Sequence, residues 1–396
     1  MITRTLNISK ELGKTSSAFL FGARGVGKTK LCQTYIETLE ASGTTCQCYD
    51  LLKNDTYQRF LKRPELFRLE IEHLLEQNKN LFIFVDEIQK VPALLDEIHY
   101  LYEAHRGVVR FLLSGSSARK LKGEGANLMA GRLLSLGLHP LTLDEYQQTP
   151  EVFTRLGSLP GVAIDNDRPE QTLRSYVATY LKEEIQQEAL VRKIDAFARF
   201  LEVAAQYHAE VINASTISKH SGVSSKTVAE YISILEDTLL AWKLPGWHAS
   251  TTKQLRTSPK LYLFDNGVAS ALRGEVAIET VVSSSRFGKM FEAFIVQELF
   301  RTNEYKQLDF KFSYWRTNND IEVDVIVSRG LGQPLAAIEI KSGEMIDNKD
   351  LYGLKRFSED YPNAKLYCLC RTPSSYELDG VQVVPYQNLS KILQSI

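Results

Sequence analysis

The sequence predicts an α/β protein in three parts: an N-terminal P-loop domain with a parallel sheet, a helical middle with a helix–turn–helix, and a second, smaller α/β domain. Three observations carry this reading. A glycine-rich loop near residue 22 lies between an apolar strand and a helical pattern. After Pro160, apolar residues recur at three and four. From residue 308 onward, period-two alternation takes over in successive short segments. The boundaries read as 1–150, 160–275 and 280–396.

A chain of 396 residues has room for several cores, and 44% hydrophobic with 24% charged residues is ordinary globular composition. The formal net charge of -1 gives no global attraction to nucleic acid, so any such binding must come from local patches. The first residues, MITRTLNISKEL, contain no apolar h-region, and runs such as LFIFV are too short to span a bilayer. The expected compartment is cytoplasmic, with no membrane partner. Cys32, Cys46, Cys48, Cys368 and Cys370 read as reduced, buried thiols rather than zinc ligands, because their C-x-C spacing is not that of a zinc site. The seven histidines form no metal-binding pair.

The strand AFLF leads into Gly22-Ala23-Arg24-Gly25-Val26-Gly27-Lys28-Thr29-Lys30 and then into a helical pattern. This is the setting of a phosphate loop. Glycines let backbone N–H groups wrap phosphates, and the helix N-terminus adds its dipole. Lys28 would reach the β- and γ-phosphates of ATP, and Thr29 would ligate Mg²⁺. A second buried-type strand, LFIFV, ends in Asp86-Glu87. Asp86 is placed to hold Mg²⁺ and Glu87 to activate an attacking water as general base. A third strand ends at Ser114 and Ser116. Arg132 either supplies charge to a transferring phosphate, in cis or from a neighbouring copy, or forms a surface salt bridge; Arg24 and Arg119 are further candidates.

The segments GARGVGKTKL, YDLLKNDTYQRFLKRPEL, FIFVDEIQKVPALLDEIHYL, FLLSGSSARKL and AGRLLSLGLHPLTLDEY resemble a large prokaryotic family of AAA+-type ATPases whose C-terminal portion is a domain of unknown function. The resemblance runs through nearly the whole chain. It implies a core ATPase domain, a winged-helix segment and a restriction-endonuclease-like C-terminal domain. It also implies that Ser114 senses the γ-phosphate, and it points to self-association. Gly25 departs from the family loop, where a polar residue is common.

Between Pro160 and residue 210 the chain reads as consecutive amphipathic helices. Next, STISKHS, the turn Gly222-Val223 and SKTVAEYISILEDTLL form a helix–turn–helix pattern, with Ser224 capping the second helix. Ser224, Ser225, Lys226 and Thr227 would meet DNA at the N-terminal end of the recognition helix. LAWKLPGW and KLYLFD suit a wing, and Lys219, Lys243, Lys253, Arg256 and Lys260 make the surroundings modestly basic against Glu230, Glu236 and Asp237. A protein-docking role fits the same pattern.

In the last part, RFGKMFEAFIVQELFRT is an amphipathic helix carrying Glu292 and Glu298, and LDFKFSYWRT, IEVDVIVS and LAAIEIKS read as three strands. The order resembles the core of the PD-(D/E)XK nuclease superfamily, with Asp324 followed by Glu339-x-Lys341. Alternation puts Glu339 and Lys341 on one face and Ile338 and Ile340 on the other. It likewise sets Glu322 and Asp324 against Val323 and Val325. Asp324 and Glu339, with Glu292 from the helix, would hold Mg²⁺ or Mn²⁺, and Lys341 would position water or stabilise charge. A merely solvated face would show the same alternation. The leading expectation is an ATP-hydrolysing protein acting on DNA with a metal-dependent nuclease-like domain. Two alternatives stay open: a nucleotide-driven switch or docking protein with a non-cleaving scaffold, and a nucleic-acid-binding ATPase without cleavage.

Overall fold

A computed structural model describes all residues except 1, 14, 117–128, 130, 165–166, 182–193, 249–253, 255–256 and 331. Arg119, Lys253 and Arg256 therefore lie outside the described residues. The chain forms two compact units, residues 1–139 with 236–240, and residues 140–235 with 241–396. Among the described residues no helix is long and apolar enough to cross a membrane.

The first unit is built on a five-stranded sheet of β1 (Ser17–Phe21), β2 (Thr45–Asp50), β3 (Leu81–Asp86), β4 (Val109–Gly115) and β5 (Leu133–Gly137) in the order β2-β3-β4-β1-β5. Every pairing is parallel. All residues of β3 and β4 are buried, as expected for strands covered on both faces. Helices α1 (Lys28–Ala41) and α2 (Leu94–Ala104) belong to the connections between strands. Parallel pairing brings the ends of β1, β3 and β4 to one edge, where Gly22, Asp86 and Ser114 meet. The expectation of buried thiols holds for Cys32, Cys368 and Cys370 but is corrected for Cys48, which is exposed because β2 is an edge strand.

The second unit contains α3 (Ile194–Gln206), the short β6 (Glu210–Val211), α4 (Ala214–Ser221) and all but the last two residues of α5 (Ser225–Asp237). Gly222 closes α4 in the left-handed region at φ 72°, and Ser224 Oγ accepts the Thr227 N–H to cap α5. Strands β7 (Ala241–Leu244) and β8 (Lys260–Leu263) complete a small antiparallel sheet, β6-β8-β7. After α6 (Asn266–Leu272) comes the 21-residue α7 (Ser285–Tyr305). Then follow β9 (Lys311–Arg316), β10 (Glu322–Ser328), β11 (Ala336–Ile340), α8 (Tyr352–Asp360), β12 (Lys365–Cys370), β13 (Tyr376–Leu378) and β14 (Val381–Pro385). The sheet order is β13-β14-β12-β11-β10-β9. Strands β9, β10 and β11 pair antiparallel, whereas β11, β12 and β14 pair parallel. One core joins Phe291, Phe294 and Leu299 of α7 to Val325, Ile338 and Leu369. A second joins Leu354 and Phe357 of α8 to Val323, Ile326 and Ala337.

Strict alternation in β10 is therefore corrected: Val323 and Val325 lie in different cores. The register against β9 shifts by one residue between Val323 and Ile326, a bulge that leaves Asp324 and Val325 unpaired in the ladder.

His208 ties this unit together. Its Nδ1 accepts the Leu263 N–H at 3.0 Å, so Nε2 carries the proton toward Asn266 Oδ1 at 2.8 Å. Asn266 in turn donates to the Met290 carbonyl at 3.0 Å. Burial pushes the His208 pKa down from 6.5 to about 3. Between those values the unfolded chain binds a proton that the folded chain refuses. His208 thus contributes stability that is intact above pH 6.5 and is lost as pH falls toward 3. In denaturant titrations, His208→Gln should flatten this acid slope relative to wild type. Equal slopes would show that His208 does not set it.

Candidate functional site

Two groups of polar side chains stand out, one in each unit. In the first, Gly22 has no space for a side chain: a Cβ there would lie 2.4 Å from the Leu138 carbonyl oxygen. Gly25 and Gly27 adopt φ 84° and 96°, where glycine is unstrained. That gives a backbone reason for the departure at Gly25. Among the described residues no side chain caps α1, and its first turn carries no acid. Its N–H groups are thus left for an anion. The loop backbone of Ala23, Arg24 and Val26 continues into Lys28, Thr29 and Lys30 at the start of α1.

Lys28 is buried and donates to the carbonyls of Gly22 at 2.8 Å and Ala23 at 3.2 Å. Asp86 accepts from Thr29 Oγ1 at 2.8 Å and from Ser114 Oγ. Burial pushes the Asp86 pKa up, against the hydrogen bonds from Ser114 and Thr29. Glu87 sits at φ 59°, its N–H bonded to Ser114 Oγ at 3.2 Å. The structure thus brings Lys28, Thr29, Asp86, Glu87 and Ser114 together.

A residue not singled out in the sequence joins them. Gln89 Nε2 donates to the Glu87 carboxylate and, at 3.1 Å, to Ser116 Oγ, holding Glu87 in place. Arg132 stands elsewhere. It immediately precedes β5, which runs parallel to β1, so it lies at the sheet edge opposite Gly22. It pairs with Glu103 at 2.6 Å. The in-cis role for Arg132 is corrected accordingly.

The second group surrounds Asp324. The β10–β11 register sets Val325 opposite Ile338, which brings Asp324 beside Glu339. Asp324 accepts the Ile340 N–H at 2.7 Å. Carboxylate oxygens of Glu292, Glu322 and Asp324 lie within 4.8 Å of one another. Lys341 donates to Glu339 Oε1 at 2.7 Å, while Glu339 Oε2 is buried with no hydrogen-bond partner. Glu292, Glu322 and Asp324 are thus close enough to share a hard divalent cation, while Glu339 stands outside that cluster, next to Asp324 in the β10–β11 register, with one carboxylate oxygen orphaned. Burial raises the carboxyl pKa values of Asp324, Glu292 and Glu339 to about 7. The neighbouring Glu339 charge adds to the Asp324 shift, and the Asp324 charge adds to that of Glu292.

Glu322, which the sequence placed on a face with Asp324 without a ligand role, belongs to this group. Lys260 is corrected: it is buried, bonded to Glu292 at 2.8 Å and Glu322 at 2.6 Å, and does not belong to a basic surface. Burial opposes its charge, yet Glu292 and its neighbours hold its pKa above that of an ordinary lysine. Glu298 points away into a buried pair with Arg301 at 2.9 Å.

Residues 14–147 match the model of the AAA domain family. Residues 153–278 and 287–389 match two domains of unknown function, DUF8612 and DUF4143. An uncharacterized protein of Mycobacterium tuberculosis (strain ATCC 25618 / H37Rv) is 26% identical over 262 residues, 65% of this chain and 58% of that protein. An uncharacterized protein of Haemophilus influenzae is 22% identical over 268 residues, 62% and 66% of the two chains. The chain thus spans under two thirds of the length of either relative. Among solved structures, Cdc6p from Pyrobaculum aerophilum aligns at TM-score 0.30 and 12% identity, over 67% of this chain and 89% of that one. The replication initiator DnaA bound to AMPPCP and single-stranded DNA aligns at TM-score 0.29 and 15% identity, over 57% and 84%. The AAA match and the loop geometry together make the first unit a P-loop nucleotide-binding domain of the AAA type, which supports ATP binding.

Proposed function

We propose that the chain hydrolyses ATP in its first unit and acts on DNA through a metal-dependent, nuclease-like site in its second. The ATPase reading rests on Asp86, which joins Thr29 of the loop to Ser114 of β4 beside Glu87. Residues 22–30 wrap the phosphates, and Lys28 leaves the loop carbonyls for the β- and γ-phosphates. Thr29 and Asp86 would hold Mg²⁺ with the nucleotide, Glu87 would take the proton of the attacking water, and Ser114 would report on the γ-phosphate. Arg24, or Arg132 presented by a second copy, would meet the transferring charge.

The nuclease-like reading rests on the orphaned Glu339 Oε2. The helix, three antiparallel strands, helix and parallel strand around it support the PD-(D/E)XK comparison. Asp324, Glu339 and Glu292 would hold a divalent cation, with Lys341 fixing Glu339 from one side. Bound there, the cation supplies Lewis acidity toward a phosphate and lowers the pKa of a coordinated water. Exposed Ser224, Ser225, Lys226 and Lys219 around the helix–turn–helix support duplex contact, completed as a winged helix by β7 and β8.

Incubating wild type and Asp324→Asn with linear, circular and branched DNA plus Mg²⁺ or Mn²⁺ tests this. Cleavage by wild type, lowered at least about 100-fold in Asp324→Asn, is the expected result. Intact DNA throughout would favour a second reading, a docking ATPase with a non-cleaving scaffold. Lys260 favours that reading, because it already neutralises part of the acid cluster.

A further inference from the structure

Lys260 belongs to β8, in the segment matching one domain of unknown function, whereas the carboxylates it meets belong to the segment matching the other. It is 4% exposed and bridges Glu292 and Glu322, two of the three acids whose oxygens cluster within 4.8 Å. A lysine at the head of the otherwise apolar strand KLYL is costly to bury unless its charge is matched. Here two carboxylates match it, and the Tyr314 ring lies 5.6 Å away.

With all four carboxylates ionised, Glu292, Glu322, Asp324 and Glu339 face Lys260 and Lys341 and leave two negative charges over, to be met by protons or by a cation. Arg316 reaches Glu322 at 3.7 Å from the rim, but its guanidinium is matched by Asp320 at 2.9 Å. Among the described residues, the buried oxygens without a partner include Glu339 Oε2 and the Tyr262 hydroxyl. Tyr262 lies two residues after Lys260 on β8.

We propose that Lys260 is a built-in cation of the carboxylate site, standing where a second metal ion would otherwise lie, so that the site takes one divalent cation, on Asp324 and Glu339. This rests on the metal reading given above and adds its stoichiometry and its dependence on β8. Strand β8, which follows the helix–turn–helix, thereby supplies part of the site's charge. A two-ion arrangement becomes possible only when Lys260 is removed or withdrawn.

The test is Mn²⁺ titration of the nucleotide-free full-length chain, with free Mn²⁺ followed by electron paramagnetic resonance. Asp324→Asn, titrated in parallel, identifies ions held elsewhere. Wild type should hold one ion that Asp324→Asn loses, and Lys260→Ala should hold a second. Two such ions in wild type would overturn the proposal, as would Lys260→Ala taking one ion at unchanged affinity. Because Lys260→Ala strands buried carboxylates, the double variant Lys260→Met/Glu322→Gln provides a second arm with the wild-type net charge. With Glu292 released, it should bind its ion roughly tenfold more tightly, and unchanged affinity would overturn the proposal. Absence of any ion sensitive to Asp324→Asn, in wild type and variants alike, would overturn the metal reading itself and Lys260's role with it.

Discussion

Lys28→Ala is expected to lower ATP turnover by about 100-fold or more and to weaken nucleotide binding. Lys28 is buried in the loop and bonds its carbonyls, so its ammonium already sits within the cradle that phosphates would enter. Alanine removes the point charge while leaving Gly22 packed on Leu138 and Asp86 bonded to Thr29. The fold should therefore survive, and the loss should be read as chemistry. Phosphate release and fluorescent-nucleotide binding measured on the same preparation would check this. Turnover unchanged from wild type would remove the loop from the mechanism.

The second large effect is on stability. Arg301 and Glu298 form an ion pair that is nearly inaccessible to solvent, with side-chain exposures of 3% and 2%. Arg301 also donates to the carbonyl of Phe264 at 2.9 Å and to Ser158 Oγ at 3.2 Å. Glu298 accepts the Leu143 N–H at 2.8 Å. Arg301→Met leaves Glu298 buried without its counter-charge, at a cost of about 3–5 kcal/mol. For a unit of this size that lowers the melting temperature by on the order of 10 °C. Burial already raises the Glu298 pKa, with Arg301 opposing it, so the variant's carboxyl should take up a proton more readily. Adding Glu298→Gln should recover part of the loss. A melting temperature equal to that of wild type would show that the pair is not a structural tie.

The parts of this molecule that depend on local pattern were legible in the sequence. The phosphate loop, the strand ending in Asp86-Glu87, the capped helix after Gly222 and the strands carrying Asp324 and Glu339 all announce themselves over a few residues. Contacts closed by distant segments did not. Lys260 looks like one cation among several near a helix–turn–helix, and only the packing of β8 brings it to Glu292, 32 residues away. Gln89 reads as an ordinary polar residue until parallel pairing of β3 and β4 sets Ser116 beside it. The bulge at Asp324 carries no glycine or proline to mark it, so simple alternation misassigns Val325. Arg132 follows a glycine and precedes a strand, a placement that leaves its edge of the sheet open until the direction of β5 is known.

The most direct measurement for the proposed ATP hydrolysis is a comparison of wild type with Glu87→Gln, in which Gln89 and Ser116 are retained. Wild type should release phosphate from ATP in a Mg²⁺-dependent manner. Glu87→Gln should still bind ATP but hold it unhydrolysed, detected by chromatography of the nucleotide recovered from the protein. Wild-type turnover in Glu87→Gln, or bound ATP that wild type never hydrolyses, would contradict the assignment of Asp86 and Glu87 as the hydrolytic pair.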